Sequence, residues 1–253
     1  MTNFEKMTDQ EIIKIVKKLG QCKMRPSSHG YDKTLKGETI LCAATKQLKN
    51  PKSEMNAAIA VMGVVLGANR NWEKVVAPNL ERLRTEKYSQ LTFSELQKML
   101  KKMDFKEFEE VWGHRDERKY SVLSELVEKI IIFSKRVENA NLKDVQLMKS
   151  WVEKFKLADR NKENYPGRIL YFGIATFQHL RMTFGIDTVK PDLRVLQVLE
   201  KEFGKKLSPI KAIAEVERMA EITGKKVVLL DQIFVKYGSG HLKARKKQRC
   251  LTR

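Results

Sequence analysis

An aspartate in the stretch "FGIDTVKPDLRVLQVL" (residues 184–199) is the residue of this chain best placed to do chemistry. Asp192 follows Pro191, where a short extended run changes to a helical pattern. Because proline disfavours the helical conformation for the residue before it, the sequence predicts a helix that begins at Asp192 and stops at Gly204. A carboxylate at this position accepts hydrogen bonds from the first free N–H groups of the helix. Asp192 is therefore either an ordinary N-cap or a carboxylate held in place for a reaction.

The charge of the chain indicates a polyanionic partner. Fifty Lys and Arg residues against 31 Asp and Glu give a net charge of +19. The basic tail at 242–253 carries only part of this excess, so the folded body is basic as well. Nucleic acid is the first candidate partner and an anionic membrane surface the second. The longest apolar stretch, "AAIAVMGVVLGA" at 57–68, is too short to span a membrane and predicts a buried helix.

The cysteines and histidines predict no metal centre. Cys22, Cys42 and Cys250 are odd in number and widely separated, which disfavours a disulfide framework and a four-cysteine metal or iron–sulfur site. No metal, nucleotide or iron–sulfur cofactor is implied. The N-terminal residues show no secretory pattern, so we expect a reducing, cytoplasmic location, near the nucleoid in a prokaryote.

Helix signals dominate the sequence. Several predicted helices open with N-cap residues, and alternating patterns bounded by Asn-Gly or Asp-Gly are absent. The N-terminal signals are Thr8 with Glu11, Thr92 with Glu95, and Ser208 followed by Pro209, while Gly20 is the predicted end of the first helix. The sequence therefore predicts an all-α fold of ten or more helices.

Four stretches resemble, in the same order, segments of the helix-hairpin-helix DNA glycosylases. In that family a helix ends in Phe-Gly or a similar pair, and Val-Asp or Pro-Val-Asp then opens the next helix. Phe184-Gly185 precede Asp192 at the separation seen in the endonuclease III branch. The other three stretches are similar to an early helix with the loop that approaches the lesion, to the segment after the wedge loop, and to a late helix that faces the base pocket. They read "AVMGVVLGANRNWEKVVAPNLERL" (60–83), "VWGHRDERKYSVLSELVEKI" (111–130) and "LLDQIFVKYGSG" (229–240).

The hairpin of that family is altered in this chain. The corresponding region reads "YPGRILYFGIATFQHL", where only Gly167 and Gly173 could serve as hairpin glycines. The archaeal 8-oxoguanine glycosylases also have a degenerate hairpin, and the chain looks most like that branch. The resemblance therefore implies an atypical helix-hairpin-helix element.

The residue at the family's lysine position predicts the type of reaction. Bifunctional members attack the sugar with a lysine amine. Here the matching position holds Ile174 in one alignment and Arg168 in the other, and neither side chain can form a Schiff base. The expected enzyme is monofunctional, unless a shifted loop supplies Lys162 and makes it a bifunctional glycosylase and lyase.

The resemblance implies a role for Asp192 and for three residues of a base pocket. Asp192 would stabilise the positive charge that builds on the sugar and would orient or deprotonate the attacking water. Trp72 and Asp231 match pocket residues of the archaeal branch, and Gln178 is a further pocket candidate. Each also has a plain structural interpretation: a core aromatic residue, a buried polar contact in a helix, and a surface or buried amide.

The remaining candidates are expected to contact DNA. Asn69 matches the family's gap-filling position, His114 and Arg115 match its wedge and backbone contacts, and Gly173 lies in the hairpin region. Arg70 is expected to meet a phosphate, while Lys190 and Arg194 either bind phosphates or are simply solvated. An exposed charged turn is the alternative interpretation of the stretch around His114.

We therefore expect two helical subdomains around a DNA-binding cleft that Asp192 faces. One comprises 52–183, and the other joins 1–51 to 184–253. The predicted activity is that of a monomeric base-excision repair DNA glycosylase, which flips a damaged base out of double-stranded DNA and hydrolyses its N-glycosidic bond. An oxidised purine such as 8-oxoguanine is the expected lesion. The alternatives are a non-catalytic helical nucleic-acid-binding protein and, last, a membrane-surface protein, which the interspersed acidic residues disfavour.

Overall fold

The protein is all-α, as the sequence predicts. A computed structural model describes residues 7–49, 56–85, 88–137, 142–159 and 166–243. These residues form twelve α-helices and no β-strand, with one isolated bridge between Lys23 and Thr39. The helices are α1 (Asp9–Gln21), α2 (Ile40–Lys49), α3 (Ala57–Leu66), α4 (Ala77–Thr85), α5 (Phe93–Lys102), α6 (Phe105–Trp112), α7 (Glu117–Ser134), α8 (Asp144–Lys154), α9 (Ile174–Thr183), α10 (Leu193–Glu202), α11 (Pro209–Thr223) and α12 (Val227–His241).

The chain divides into two compact units. The central unit comprises 52–190, and the split unit comprises 1–51 together with 191–253. Their second boundary lies after Lys190, whereas the sequence predicts it after residue 183. The intervening residues belong to the central unit because Phe184 is buried in its core, Ile186 packs against that core, and the Thr188 hydroxyl accepts a hydrogen bond from Gln178 Nε2 at 2.8 Å.

Helix α3 forms the centre of the central unit. Its sequence is apolar on all sides, so it can be stable only where other helices surround it. It packs against α4, α5, α7, α8 and α9, and it shares one core with the buried aromatic residues of the unit. The largest of them are Trp112, Trp151, Phe93, Phe108, Phe172 and Phe177. Burial of α3 fixes the position of the loop that follows it.

Helix α12 has the same role in the split unit, where it packs against α1, α2, α10 and α11. Its one fully buried cation, Lys236, donates hydrogen bonds to the His29 carbonyl oxygen at 3.2 Å and to Gln47 Oε1 at 2.7 Å. The backbone N–H of His29 donates to Ser239 Oγ at 2.7 Å. These contacts bind the polar segment after α1 to the surface of α12.

The predicted helix starts are confirmed, and one predicted end is wrong. Thr8 and Thr92 cap α1 and α5 in capping boxes, and Ser208 caps α11 with Pro209 in its first turn. Gly20 does not end α1, which continues to Gln21. The absence of a side chain at Gly20 instead allows close packing on α2, since a Cβ there would lie 3.3 Å from Leu41 Cβ.

None of the helices in the described parts of the chain combines the length and the hydropathy that a membrane span requires.

Candidate nucleic-acid interface

Three segments of the central unit meet around Asp116, the residue that precedes α7. Arg70, from the loop after α3, places Nη2 3.6 Å from Asp116 Oδ2. Arg118, from the first turn of α7, places Nε 3.3 Å from Asp116 Oδ1. The Arg118 guanidinium carbon also lies 5.7 Å from the centre of the Tyr171 ring. The loop at 68–72, the turn at 113–119 and the loop at 168–173 therefore form one surface.

Lys119 holds the loop after α3 in place. Its Nζ donates hydrogen bonds to the carbonyl oxygens of Leu66 at 2.7 Å and Ala68 at 2.6 Å, which are acceptors left unpaired where α3 ends. Asn69 follows in a left-handed conformation (φ 56°), which asparagine tolerates better than most residues. The predicted candidates Asn69 and Arg70 are both exposed on this loop.

The electrostatic environment of this surface is positive. Burial, followed by repulsion from Arg70, lowers the pKa of Lys119 to about 8, against the opposing effect of Asp116. The cations Arg70, Arg115, Arg118 and Lys119, which we call the cationic cluster, lie together on this surface, where Asp116 and Glu109 are the carboxylates paired with its arginines.

The turn before α7 exposes Arg115 and partly buries His114. Arg115 is solvent-exposed, with Nε 2.6 Å from Glu109 Oε1. The His114 carbonyl accepts a 2.8 Å hydrogen bond from Trp112 Nε1, while its ring Nε2 is buried without a hydrogen-bond partner in the described structure. Burial, and then the charges of Lys119 and Arg70, lower the pKa of the imidazole. The turn favours glycine at Gly113, where φ is 71° and a Cβ would clash with the Asn79 side chain.

The loop before α9 presents two apolar side chains to solvent. Leu170 is 70% exposed and Tyr171 63%, while the residues on either side, Ile169 and Phe172, are buried in the core. Tyr171 has a φ of 67°. Gly173, the predicted hairpin glycine, is the N-cap of α9 in an extended conformation that any residue can adopt. The left-handed position of this loop is occupied by a tyrosine.

The two pocket candidates of the central unit are packed into it. Trp72 opens a π-helical turn, is partly buried, and contacts the His179 ring edge-on with 6.1 Å between ring centres. Gln178 is fully buried, accepts a hydrogen bond from Arg181 Nη1 at 3.0 Å, and donates the bond to Thr188 described above. The Gln178 amide therefore attaches residues 184–190 to α9.

Asp192 is the N-cap of α10, as the sequence predicts. Its Oδ1 accepts hydrogen bonds from the backbone N–H groups of Arg194 at 2.9 Å and Val195 at 3.3 Å. The side chain is partly exposed, and α10 ends before Gly204, whose φ is 65°. The carboxylate is thus held by two donors on one oxygen.

The other candidates near Asp192 make contacts within the protein. Arg194 Nη1 donates to Gln197 Oε1 at 3.2 Å and to the Gly238 carbonyl oxygen at 3.5 Å, which connects α10 to α12. Asp231 is 2% exposed and accepts a hydrogen bond from Gln232 Nε2 at 3.3 Å. Lys190 is partly exposed, at the end of the central unit, and Lys162 lies outside the described residues.

The structure brings together some of the predicted residues and adds others. The central unit contains Asn69, Arg70, Trp72, His114, Arg115, Gly173, Gln178 and Lys190. The split unit contains Asp192, Arg194 and Asp231. Four further residues of this surface, Arg118, Lys119, Leu170 and Tyr171, are not among the predicted candidates. The "RK" that follows the His114 turn was a visible signal for the two cations. No local pattern marks Tyr171, because its exposure depends on the burial of Ile169 and Phe172.

Comparison of the chain with models of known protein families, with curated proteins and with solved structures found no match. Within the described residues, no three or more His, Cys, Asp and Glu side chains are grouped so that they could hold a metal ion.

Proposed function

We propose that this protein is a base-excision repair DNA glycosylase that hydrolyses the N-glycosidic bond of a damaged base, with an oxidised purine such as 8-oxoguanine as the first candidate. The observation that carries the proposal is the meeting of the three segments around Asp116 in the central unit. Two of them contain residues that the glycosylase resemblance assigns to DNA contacts, Asn69 in one and His114 and Arg115 in the other. The resemblance itself rests on the quoted motifs.

The cationic cluster suits the phosphate backbone of DNA. Three of its four members are arginines, whose planar guanidinium groups can donate two parallel hydrogen bonds to one phosphate. Arg70, Arg115 and Arg118 are exposed, so a phosphate can approach them from solvent. Contacts of this kind position a protein on DNA without reading its sequence, as expected of an enzyme that searches for damage.

Asp192 is the proposed catalytic carboxylate. The N–H groups of Arg194 and Val195 both donate hydrogen bonds to its Oδ1, which hold the carboxylate in place at the start of α10. A carboxylate fixed in this way stabilises the oxocarbenium-like sugar that forms as the base departs, and it can orient the attacking water. The chemistry requires no cofactor.

The side chains at the family's lysine position favour hydrolysis over lyase chemistry. Ile174 is the first residue of α9, and Arg168 is exposed in the preceding turn. Neither can form a Schiff base with the sugar. Lys162 is the alternative amine, and its use would make the enzyme bifunctional.

A non-catalytic nucleic-acid-binding protein is the second candidate. It is favoured by the hydrogen bonds of Asp192, because a residue that caps a helix so regularly already has a structural reason to be an aspartate. The two functions differ in base release and share DNA binding.

The test is base release from duplexes that each carry one lesion: 8-oxoguanine, a methylated purine, uracil or hypoxanthine. Wild type is compared with Asp192→Asn and Asp192→Ser, since both variants keep an N-cap acceptor and remove the carboxylate. We expect strand breaks only after alkali, and a loss of at least about 100-fold in both variants, without a matching loss of stability.

Two other results would change the proposal. Strand breaks without alkali, together with a protein–DNA Schiff base trapped by borohydride, would identify an attacking amine. Lys162→Gln would then be the next variant. DNA binding without base release from any of these duplexes would favour the non-catalytic protein.

A further inference from the structure

Leu170 and Tyr171 are the two most exposed large apolar side chains of the described chain. They are 70% and 63% exposed, and the next, Leu193, is 53% exposed. Single exposed apolar residues are common on protein surfaces. Two adjacent ones at the tip of a loop are different, because nothing within the described structure buries them and both project from the same short turn.

The backbone of this turn is fixed around the pair. The N–H of Phe172 donates to the Ile169 carbonyl oxygen at 2.9 Å, which closes a four-residue turn with Leu170 and Tyr171 at its centre. The N–H of Ile169 donates to the Pro166 carbonyl oxygen at 3.0 Å. With Ile169 and Phe172 buried on either side, the tip is held in one position relative to the central unit.

Tyr171 occupies a backbone conformation that favours glycine. The third residue of a turn with positive φ is usually Gly or Asn, and a bulky side chain in that conformation is strained. A φ of 67° at a tyrosine is therefore an unfavourable choice for stability alone. Strain of this kind is concentrated at functional sites, where a particular side chain is needed at a particular place.

The charges beside the turn indicate what would cover it. The guanidinium of Arg118 lies 5.7 Å from the Tyr171 ring centre, and Arg118 is joined through Asp116 to Arg70. An apolar peptide or a second copy of this basic chain would have to approach these cations directly. A nucleic acid combines phosphates for the arginines with flat bases for the ring and the leucine.

We propose that Leu170 and Tyr171 form a wedge that enters the base stack of the DNA bound by the cationic cluster, with the Tyr171 ring stacked on a base beside the lesion. This rests on the proposed function in taking damaged DNA as the ligand. Apolar side chains that enter a base step unstack it, and a weakened pair lowers the energy that unstacking requires. The wedge would hold the duplex open while the damaged nucleotide is out of the stack.

The experiment uses a duplex with 2-aminopurine next to a tetrahydrofuran abasic-site analogue, and an intact duplex of the same sequence. The full chain is compared with Tyr171→Ala, Leu170→Ala and Tyr171→Phe, since phenylalanine keeps the ring. Ile132→Ala is the matched control, because Ile132 is 44% exposed near the far end of α7 in the same unit.

With wild type and Tyr171→Phe we expect the 2-aminopurine fluorescence to change on binding, and with Tyr171→Ala we expect that change to be lost. The affinity of Tyr171→Ala for the abasic duplex should fall about tenfold or more, the size expected for the loss of one stacked base. Leu170→Ala should weaken the same binding, and Ile132→Ala should leave it unchanged. Equal fluorescence changes and affinities for wild type and Tyr171→Ala would overturn the wedge, and so would an equal loss in Ile132→Ala.

Base release by the same proteins separates this inference from the proposed function. If wild type, Tyr171→Ala and Leu170→Ala release the base at the same rate and give the same fluorescence change, the wedge is refuted and the glycosylase is kept. A Tyr171-dependent fluorescence change without base release would keep the wedge and refute the glycosylase. A protein that binds neither duplex would refute both.

Discussion

At the scale of single residues, Lys119 is the group whose ionisation should be visible in stability. Its pKa falls to about 8 in the fold, whereas the unfolded chain has the ordinary value near 10.5. Between these two values the unfolded chain binds more protons, so this residue makes the free energy of unfolding rise with pH. Below about pH 8 Lys119 is protonated in both the folded and the unfolded state, and burial of its charge then lowers the free energy of unfolding by a constant amount.

Lys119→Met should remove that rise. Urea unfolding at pH 7.5, 9 and 10 measures the difference in free energy between wild type and variant, and we expect the difference to shift in favour of wild type as the pH increases. Lys135→Met, at the opposite end of α7, is the control and should show no comparable trend. A difference that stays constant across this range would mean that the Lys119 amine is not desolvated in the fold.

At the scale of elements, sequence patterns predict what a few neighbouring residues decide. Asp192 as the N-cap of α10 and the two threonine capping boxes follow from local signals, and the structure has them all. The prediction that Gly20 ends α1 is wrong because its role is packing against Leu41, a residue distant in the sequence. The turn at Tyr171 could not be predicted either, because a tyrosine at positive φ contradicts every local preference.

The strain in this turn predicts an order of stability among variants. Glycine adopts a φ near 67° without a clash, whereas alanine does not, so Tyr171→Gly should be more stable than Tyr171→Ala by about 1 kcal/mol in urea unfolding. Both variants lack the ring and should bind the abasic duplex equally weakly. A Tyr171→Ala protein more stable than Tyr171→Gly would mean that the backbone of the turn is not left-handed.

At the scale of the whole molecule, the helix signals along the chain predict the all-α class and the net charge predicts a polyanionic partner, but neither can assign cations to a site. The chain has 50 Lys and Arg residues, and most helices mix them with acidic residues. The cationic cluster exists because the buried helix α3 positions the Arg70 loop beside Asp116 and Arg118 at the start of α7. No spacing in the sequence encodes this contact. The division into units is similarly decided by packing, since Phe184 and Thr188 tie residues after α9 to the central unit.

The net charge of the whole molecule and the cationic cluster make different contributions to DNA binding. The salt dependence of the affinity distinguishes the two. Each phosphate neutralised by the protein contributes about −0.9 to the slope of log affinity against log salt. Arg115→Gln and Arg118→Gln should therefore each reduce that slope by about 1 on an intact duplex, measured by fluorescence anisotropy from 50 to 300 mM salt. Lys135→Gln removes the same charge from the other end of α7, roughly 25 Å from Arg118 at 1.5 Å per residue, and should leave the slope nearly unchanged. Equal changes in all three variants would mean that DNA responds to the net charge of +19 and not to this surface.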